Sequence, residues 1–245
     1  MKPRPLPFVF LNAAMTADGK IAPASRHYEP FAGPRDREHL LELRSTADAV
    51  MSGARTVDLD KVNLGPGPAK YRRLRLKQGL AEYNLRIIVS GRGTIDAKAE
   101  IFRHRFSPII VLTTELITAK KLRQLQSLAD EVKVIGKTEV DFKAAFAWLG
   151  EKWNVKRLLC EGGGEVNGAL FCADLVDELH LTISPLIFGG RAAPTLADGT
   201  GIEHLADAAR LRLVSMKHYG SDLFLVYERE RVRLTWRNLC SKNES

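Results

Sequence analysis

Six short runs rich in valine, isoleucine and leucine recur along the chain, at residues 8–14, 49–52, 85–90, 108–113, 132–135 and 156–160. Several are almost continuously apolar. A strand with one wet face alternates polar and apolar residues, whereas a strand covered on both faces does not need to. Between the runs lie stretches of helical period. Residues 36–44 carry Leu40, Leu41 and Leu43, residues 118–128 carry Leu122, Leu125 and Leu128, and residues 141–149 carry Phe142, Phe146 and Leu149. Strand–helix alternation of this kind predicts an α/β fold: a central, mostly parallel sheet, right-handed crossovers and helices on its faces.

The last third changes character. Residues 178–188, 211–218 and 223–228 read as longer strands with few helices between them, which predicts antiparallel additions at one edge of the sheet. No internal repeat, low-complexity block or linker divides the chain. A single domain over residues 1–245 is therefore expected, with its core at 8–228 and a charged tail at 229–245 that is either a last helix or disordered.

Composition narrows the partners. The 37 Lys+Arg exceed the 29 Asp+Glu, a net charge of +8 that suits an anionic ligand or simply aids solubility. The basic residues cluster only at 70–77, and no zinc finger, homeodomain or aromatic RNA-binding motif accompanies them. The three cysteines, Cys160, Cys172 and Cys240, lack CxxC spacing. That argues against a disulfide framework and for a reducing compartment, hence the cytoplasm. No apolar run reaches the length of a membrane span.

Three strand ends carry candidate chemistry. At the first, Cys160-Glu161-Gly162-Gly163-Gly164-Glu165-Val166-Asn167, a strand stops at a carboxylate, three glycines follow and a helix begins. Glycines let backbone approach a phosphate, and a helix N-terminus offers it free N–H groups. A tight turn without ligand would use the same glycines. The segment is neither GxGxxG, since Asn167 stands where the last glycine belongs, nor a Walker loop. The second is Met51-Ser52-Gly53-Ala54-Arg55-Thr56, with Asp60 one helical turn beyond Thr56. The third is Ser90-Gly91-Arg92-Gly93, where serine and arginine suit the 2′-phosphate of NADP.

Together with the opening Leu11-Asn12-Ala13-Ala14-Met15-Thr16-Ala17-Asp18-Gly19-Lys20, these stretches resemble the pyrimidine reductases of riboflavin biosynthesis. So do Leu175-Val176-Asp177-Glu178-Leu179 and Ile183-Ser184-Pro185-Leu186-Ile187-Phe188-Gly189-Gly190. The resemblance runs from about residue 8 to 228 and implies a dihydrofolate-reductase-like fold. It implies NADPH as hydride donor, a ribosylaminopyrimidine 5′-phosphate as acceptor, a ribitylamino product and a homodimer joined through an edge strand. On it, Ala14, Thr56, Asp60, Ser90, Gly91, Arg92, Gly162, Gly163, Gly164, Glu165, Val166 and Asn167 would meet the cofactor. Arg44, Leu64 and Glu161 would meet the substrate, with Glu161 and Asn12 taking part in catalysis.

Three departures from the family bear on the substrate, the first being that Asp60-Lys61-Val62 stands where Asp-Asp-Pro is usual, which loses one acid and the proline. Asn12 stands where bacterial members often have lysine. Gly65-Pro66-Gly67-Pro68 stands where an arginine is usual, leaving residues 70–77 as a candidate for phosphate contacts. Neither the His-x-Glu nor the Pro-Cys-x-x-Cys of a zinc deaminase occurs, and the six histidines make no metal-ligand spacing. A stand-alone reductase without metal is expected. The alternatives are a reductase of the same fold acting on another pteridine-like or carbonyl compound, and a basic nucleic-acid-binding protein.

Overall fold

The computed structural model describes residues 6–26, 30–59 and 62–230. Asp60 and nearly all of the charged tail lie outside the described residues. In chain order the elements are β1 (Phe8–Thr16), α1 (Pro34–Arg44), β2 (Ala49–Gly53), α2 (Ala54–Leu59), α3 (Ala69–Lys77), β3 (Leu85–Val89), α4 (Glu100–Arg103), β4 (Ile109–Thr113) and α5 (Ala119–Leu128). There follow β5 (Glu131–Val134), α6 (Phe142–Trp153), β6 (Arg157–Cys160), α7 (Gly164–Cys172), β7 (Glu178–Ser184), β8 (Leu211–Tyr219) and β9 (Asp222–Arg229).

The nine strands form one sheet in the order β5-β4-β3-β2-β6-β1-β7-β9-β8. Every neighbouring pair from β5 through β7 is parallel. Only β9 runs against the rest, pairing antiparallel with β7 and with β8. The expectation of antiparallel additions therefore holds for the β8–β9 hairpin but fails for β7. The helix α7 carries the chain back across the sheet, so β7 starts at the same end as β1 and pairs with it in parallel. It also ends at Ser184 rather than at residue 188, because Pro185 has no N–H for a ladder.

The continuous apolar runs are explained by two hydrophobic layers. On one face Val9, Leu11, Met51, Ile87, Leu158 and Cys160 pack beneath Phe146 and Leu149 of α6 and Leu170 of α7. On the other, Phe10, Val50, Ile88, Val111 and Leu159 pack beneath Leu43 of α1, Val57 of α2, Ile101 of α4 and Leu125 of α5. Successive residues of one strand serve opposite layers, so both sets of positions are mostly apolar, with Ser52 and Arg86 among the buried exceptions. The hairpin lacks such cover: on β8, Val214 is 46% and Met216 66% exposed.

Candidate active site

The neighbouring strands β2 and β6 send their following helices to opposite faces of the sheet: α2 packs in one layer and α7 in the other. Such a divergence opens a crevice at the carboxyl ends of parallel strands. The glycine turn lies in it. Gly162 O accepts from Gly53 N at 2.9 Å and from Ser52 Oγ at 3.3 Å, which fastens the turn to the end of β2. Helices α5 and α6 are capped by the side chains of Thr118 and Asp141, whereas α7 starts from Gly163, which has no side chain to occupy its first N–H groups.

The three glycines do different things. Gly162 and Gly163 sit at φ +76° and +71°. A Cβ on Gly164 would fall 2.3 Å from Asp198 Oδ2 and 2.6 Å from Thr195 O, so that glycine admits the returning segment after β7. Gly168 is tighter still, 1.9 Å from Asp198 O. A Cβ on Gly163 would meet only Thr56 Oγ1, at 3.4 Å. Gly163 is thus the glycine that keeps the crevice between α2 and α7 clear. Asn167 is fully engaged elsewhere: its Nδ2 donates to Leu196 O at 2.8 Å, and Cys160 Sγ donates to its Oδ1. Glu165 is exposed and faces Arg55, and Val166 packs beside Gly53.

Helix α1 forms the other wall. Near its start, Asp36 bonds Thr182 of β7; burial raises its carboxyl pKa, and its buried Oδ1 has no partner among the described residues. One turn on, His39 Nε2 and His180 Nδ1 lie 3.2 Å apart, and His180 Nε2 lies 2.5 Å from Glu178 Oε1. At the end of the helix Arg44 clasps Glu161 with a two-pronged pair: Nε donates to Oε1 at 2.5 Å and Nη2 to Oε2 at 2.6 Å. The third arm, Nη1, donates to Gly65 O at 2.7 Å. Both charged side chains are nearly enclosed, at 12% and 11% exposure. Glu161 is therefore not the cap of α7; it reaches across to α1.

The pairing of Leu11 with Cys160 puts Asn12 alongside Glu161, and the buried Asn12 Oδ1 likewise has no partner among the described residues. Ala14 follows on the same face, level with Thr182. Ser90 and Gly91 stand at the end of β3, two strands from β6, about 10 Å at the usual strand spacing. Gly91 O accepts from both Thr113 and Thr114 hydroxyls, and Arg92 is exposed. Leu64 is wholly buried in the layer beneath α1 and shows no side-chain surface to a ligand. The basic stretch 70–77 is broken up: Arg75 points inward at 1% exposure and Arg72 is held by Glu82 and Tyr83. Asp36 and Thr182 were not singled out in the sequence, because an acid in a helix's first turn usually answers the helix dipole. Among the described residues no group of His, Cys, Asp and Glu is placed to hold a metal, and no helix is long and apolar enough to cross a membrane.

The family described as the RibD C-terminal domain matches residues 7–225. The chain is 34% identical over 221 residues to the 2,5-diamino-6-ribosylamino-4(3H)-pyrimidinone 5′-phosphate reductase of Methanothermobacter thermautotrophicus, covering 90% of this chain and 97% of that one. Its fold is that of a pyrimidine reductase-like protein from Corynebacterium diphtheriae, at 24% identity and a TM-score of 0.76, over 92% of this chain and 93% of the other. It is also that of Acinetobacter baumannii RibD, at 21% identity and a TM-score of 0.72, over 92% of this chain. There it spans only 59% of the longer protein.

Proposed function

The chain belongs to the RibD C-terminal domain family, and on that premise we propose that it is an NADPH-dependent reductase of 2,5-diamino-6-ribosylamino-4(3H)-pyrimidinone 5′-phosphate, forming the ribitylamino compound in riboflavin biosynthesis. The observation that carries the reading is the clasped Arg44–Glu161 pair set directly against the glycine turn. A hydride donor and a phosphorylated, cation-forming acceptor need this: a backbone cradle for one and charged side chains for the other, side by side.

Bound NADPH supplies the hydride; the chain supplies the position. Gly163, the first N–H groups of α7, Thr56 and Ala14 would hold the cofactor, and Ser90, Gly91 and Arg92 would meet its ribose phosphate. When the ribose ring opens, C1′ becomes an imine or iminium carbon, and the Glu161 carboxylate stabilises the positive charge beside Asn12. Arg44 fixes Glu161 and offers its guanidinium to the anionic substrate.

Asp36 favours the diamino over the deaminated pyrimidine. A 2-amino group beside a ring N–H presents two donors, which match a carboxylate with a buried, unpartnered oxygen. A uracil places a carbonyl there, and two acceptors facing each other in a dry site repel. Loss of reduced-nicotinamide absorbance tests both levels. Oxidation is expected with the diamino compound, roughly 10³-fold faster in kcat/KM than with its deaminated form. Equal rates would remove Asp36 from recognition, and no oxidation with either compound would end the proposed substrate and favour a reductase of the same fold acting on another compound.

We place the whole chain in one cytoplasmic reductase domain that pairs with a second copy through the exposed edge strand β8, where Val214 and Met216 are uncovered. Light scattering should give a dimer, and Met216→Glu should shift it toward monomer.

A further inference from the structure

The geometry points to Arg75 as a positioning residue that sets the Arg44–Glu161 pair from behind, an inference that rests on the function proposed for that pair. Arg75 lies on α3, is 1% exposed and has no carboxylate bonded to it among the described residues. Its guanidinium spends its donors on backbone instead. Nε donates to Ala81 O at 2.9 Å, and Nη1 donates to Arg44 O at 2.8 Å and to Ala47 O at 2.5 Å. Arg44 closes α1, so its carbonyl is one of the last four that find no partner within the helix, and the following turn gives it only a long bond from Ala47 N at 3.4 Å. A cation there also faces the negative end of the helix dipole. Burial lowers the Arg75 pKa, the sign of a charge kept in a dry place at a cost.

What that cost secures is visible at Arg44. Its carbonyl is held by Arg75, while its side chain is held by Glu161 on one side and Gly65 O on the other. Gly65 in turn is fixed by the same segment. Asn63 Oδ1 accepts from Gly65 N at 2.9 Å, and Asn84 Nδ2 donates to Leu64 O at 2.8 Å. Leu64 is a fully buried non-glycine residue at φ +55°, a conformation that persists only where surroundings impose it. Residues 63–84 thus wrap Arg44 at backbone and side chain together. If only the helix end needed satisfying, water or a Schellman turn would do. A rigid fork inserted from another helix fixes where the Arg44 side chain starts, and therefore how it meets Glu161.

The test is a cycle of Arg75→Met, Arg44→Lys and the double variant in the full chain, with Arg75→Lys as the conservative change. In steady state, Arg75→Met should raise KM for the diamino pyrimidine about tenfold and leave the Kd for NADPH within about twofold. Arg75→Lys should recover part of that loss. In the Arg44→Lys background the same Arg75→Met change should alter kcat/KM by less than about twofold, because the residue it acts through is already displaced. Equal losses in both backgrounds, or pyrimidine and NADPH affinity falling together, would reduce Arg75 to a support of the fold.

A second readout needs no turnover. Hydrogen exchange of the Arg44 Nε–H, followed by NMR, should quicken at least tenfold in Arg75→Met. That of the Ala145 backbone N–H, which donates to Asp141 O at 2.8 Å on α6 in the opposite layer, should not change. Unchanged Arg44 exchange overturns the inference even if the enzyme is active. Quickened exchange in Arg75→Met, alongside a wild type that fails to reduce the pyrimidine, sustains it while ending the proposed function. Should Arg75→Met not fold, Arg75→Lys carries the same comparison, with a smaller change in the same direction.

Discussion

The two walls of the crevice are built from different materials. The glycine turn between β6 and α7 presents backbone: φ angles of +76° and +71°, and a helix start with no capping side chain. The α1 wall presents side chains, each finding its partner far along the chain: Asp36 with Thr182, His39 with His180, Arg44 with Glu161. A backbone wall can be damaged only by adding atoms or changing φ. A side-chain wall can be damaged by removing one atom from a pair, because the abandoned partner stays buried. The two should therefore fail differently, and by different amounts.

The largest failure should follow Arg44→Leu. It leaves the Glu161 carboxylate enclosed and unpaired, which costs about 3–5 kcal/mol in comparable buried pairs. Activity should also drop roughly 10- to 150-fold in kcat/KM, the equivalent of a charged hydrogen bond of about 1.5–3 kcal/mol. Adding Glu161→Leu should restore much of the stability, read by urea unfolding, and none of the activity. If the double variant is no more stable than Arg44→Leu alone, Glu161 is not the strained partner and the contrast between the walls weakens.

Acid should come next, and it should act on the α1 wall. Burial, with His180 adding to it, pushes the His39 pKa down to about 4. Between that value and the ordinary histidine pKa near 6.5 the unfolded chain binds a proton that the folded one refuses, so stability falls as pH drops through this window. At pH 4.5 the loss relative to pH 7 is about 2–3 kcal/mol from this group. Urea midpoints at the two pH values should show it in the wild type and show much less in His39→Leu. An identical acid loss in the variant would assign the sensitivity to other groups.

The contrast also explains what could be read from the sequence. The strands were legible because burial on two faces leaves continuous apolar runs, and the glycine turn because backbone demands show up as residue type at adjacent positions. Glu161 was legible as a carboxylate at a strand end, but its partner lies 117 residues earlier. Arg75 stands in a basic cluster that the sequence offers as a candidate for phosphate contacts, and only packing turns it inward. Asp36 read as an ordinary first-turn acid. The direction of β7 was not legible either. A strand's own residues do not say which neighbour it pairs with; the length and helicity of the preceding crossover do.

The smallest effects, and the sharpest separation, should come from two glycines five residues apart. Gly168→Ala puts a Cβ 1.9 Å from Asp198 O, backbone that cannot rotate away. Overpacking of that kind costs about 1–3 kcal/mol, while the crevice itself is untouched and NADPH affinity should stay within about threefold at a temperature where the variant is folded. Gly163→Ala faces open space except for Thr56 Oγ1 at 3.4 Å, so its penalty is chiefly the positive φ, about 1–2 kcal/mol. Its Cβ, however, stands where the cofactor's phosphates need bare backbone, and NADPH Kd should rise at least about tenfold. Measured side by side by melting and by NADPH titration, the two alanines should trade places: one mainly a loss of stability, the other mainly a loss of affinity. If both lose stability alone, the three glycines serve packing throughout, and the backbone wall is not a binding wall.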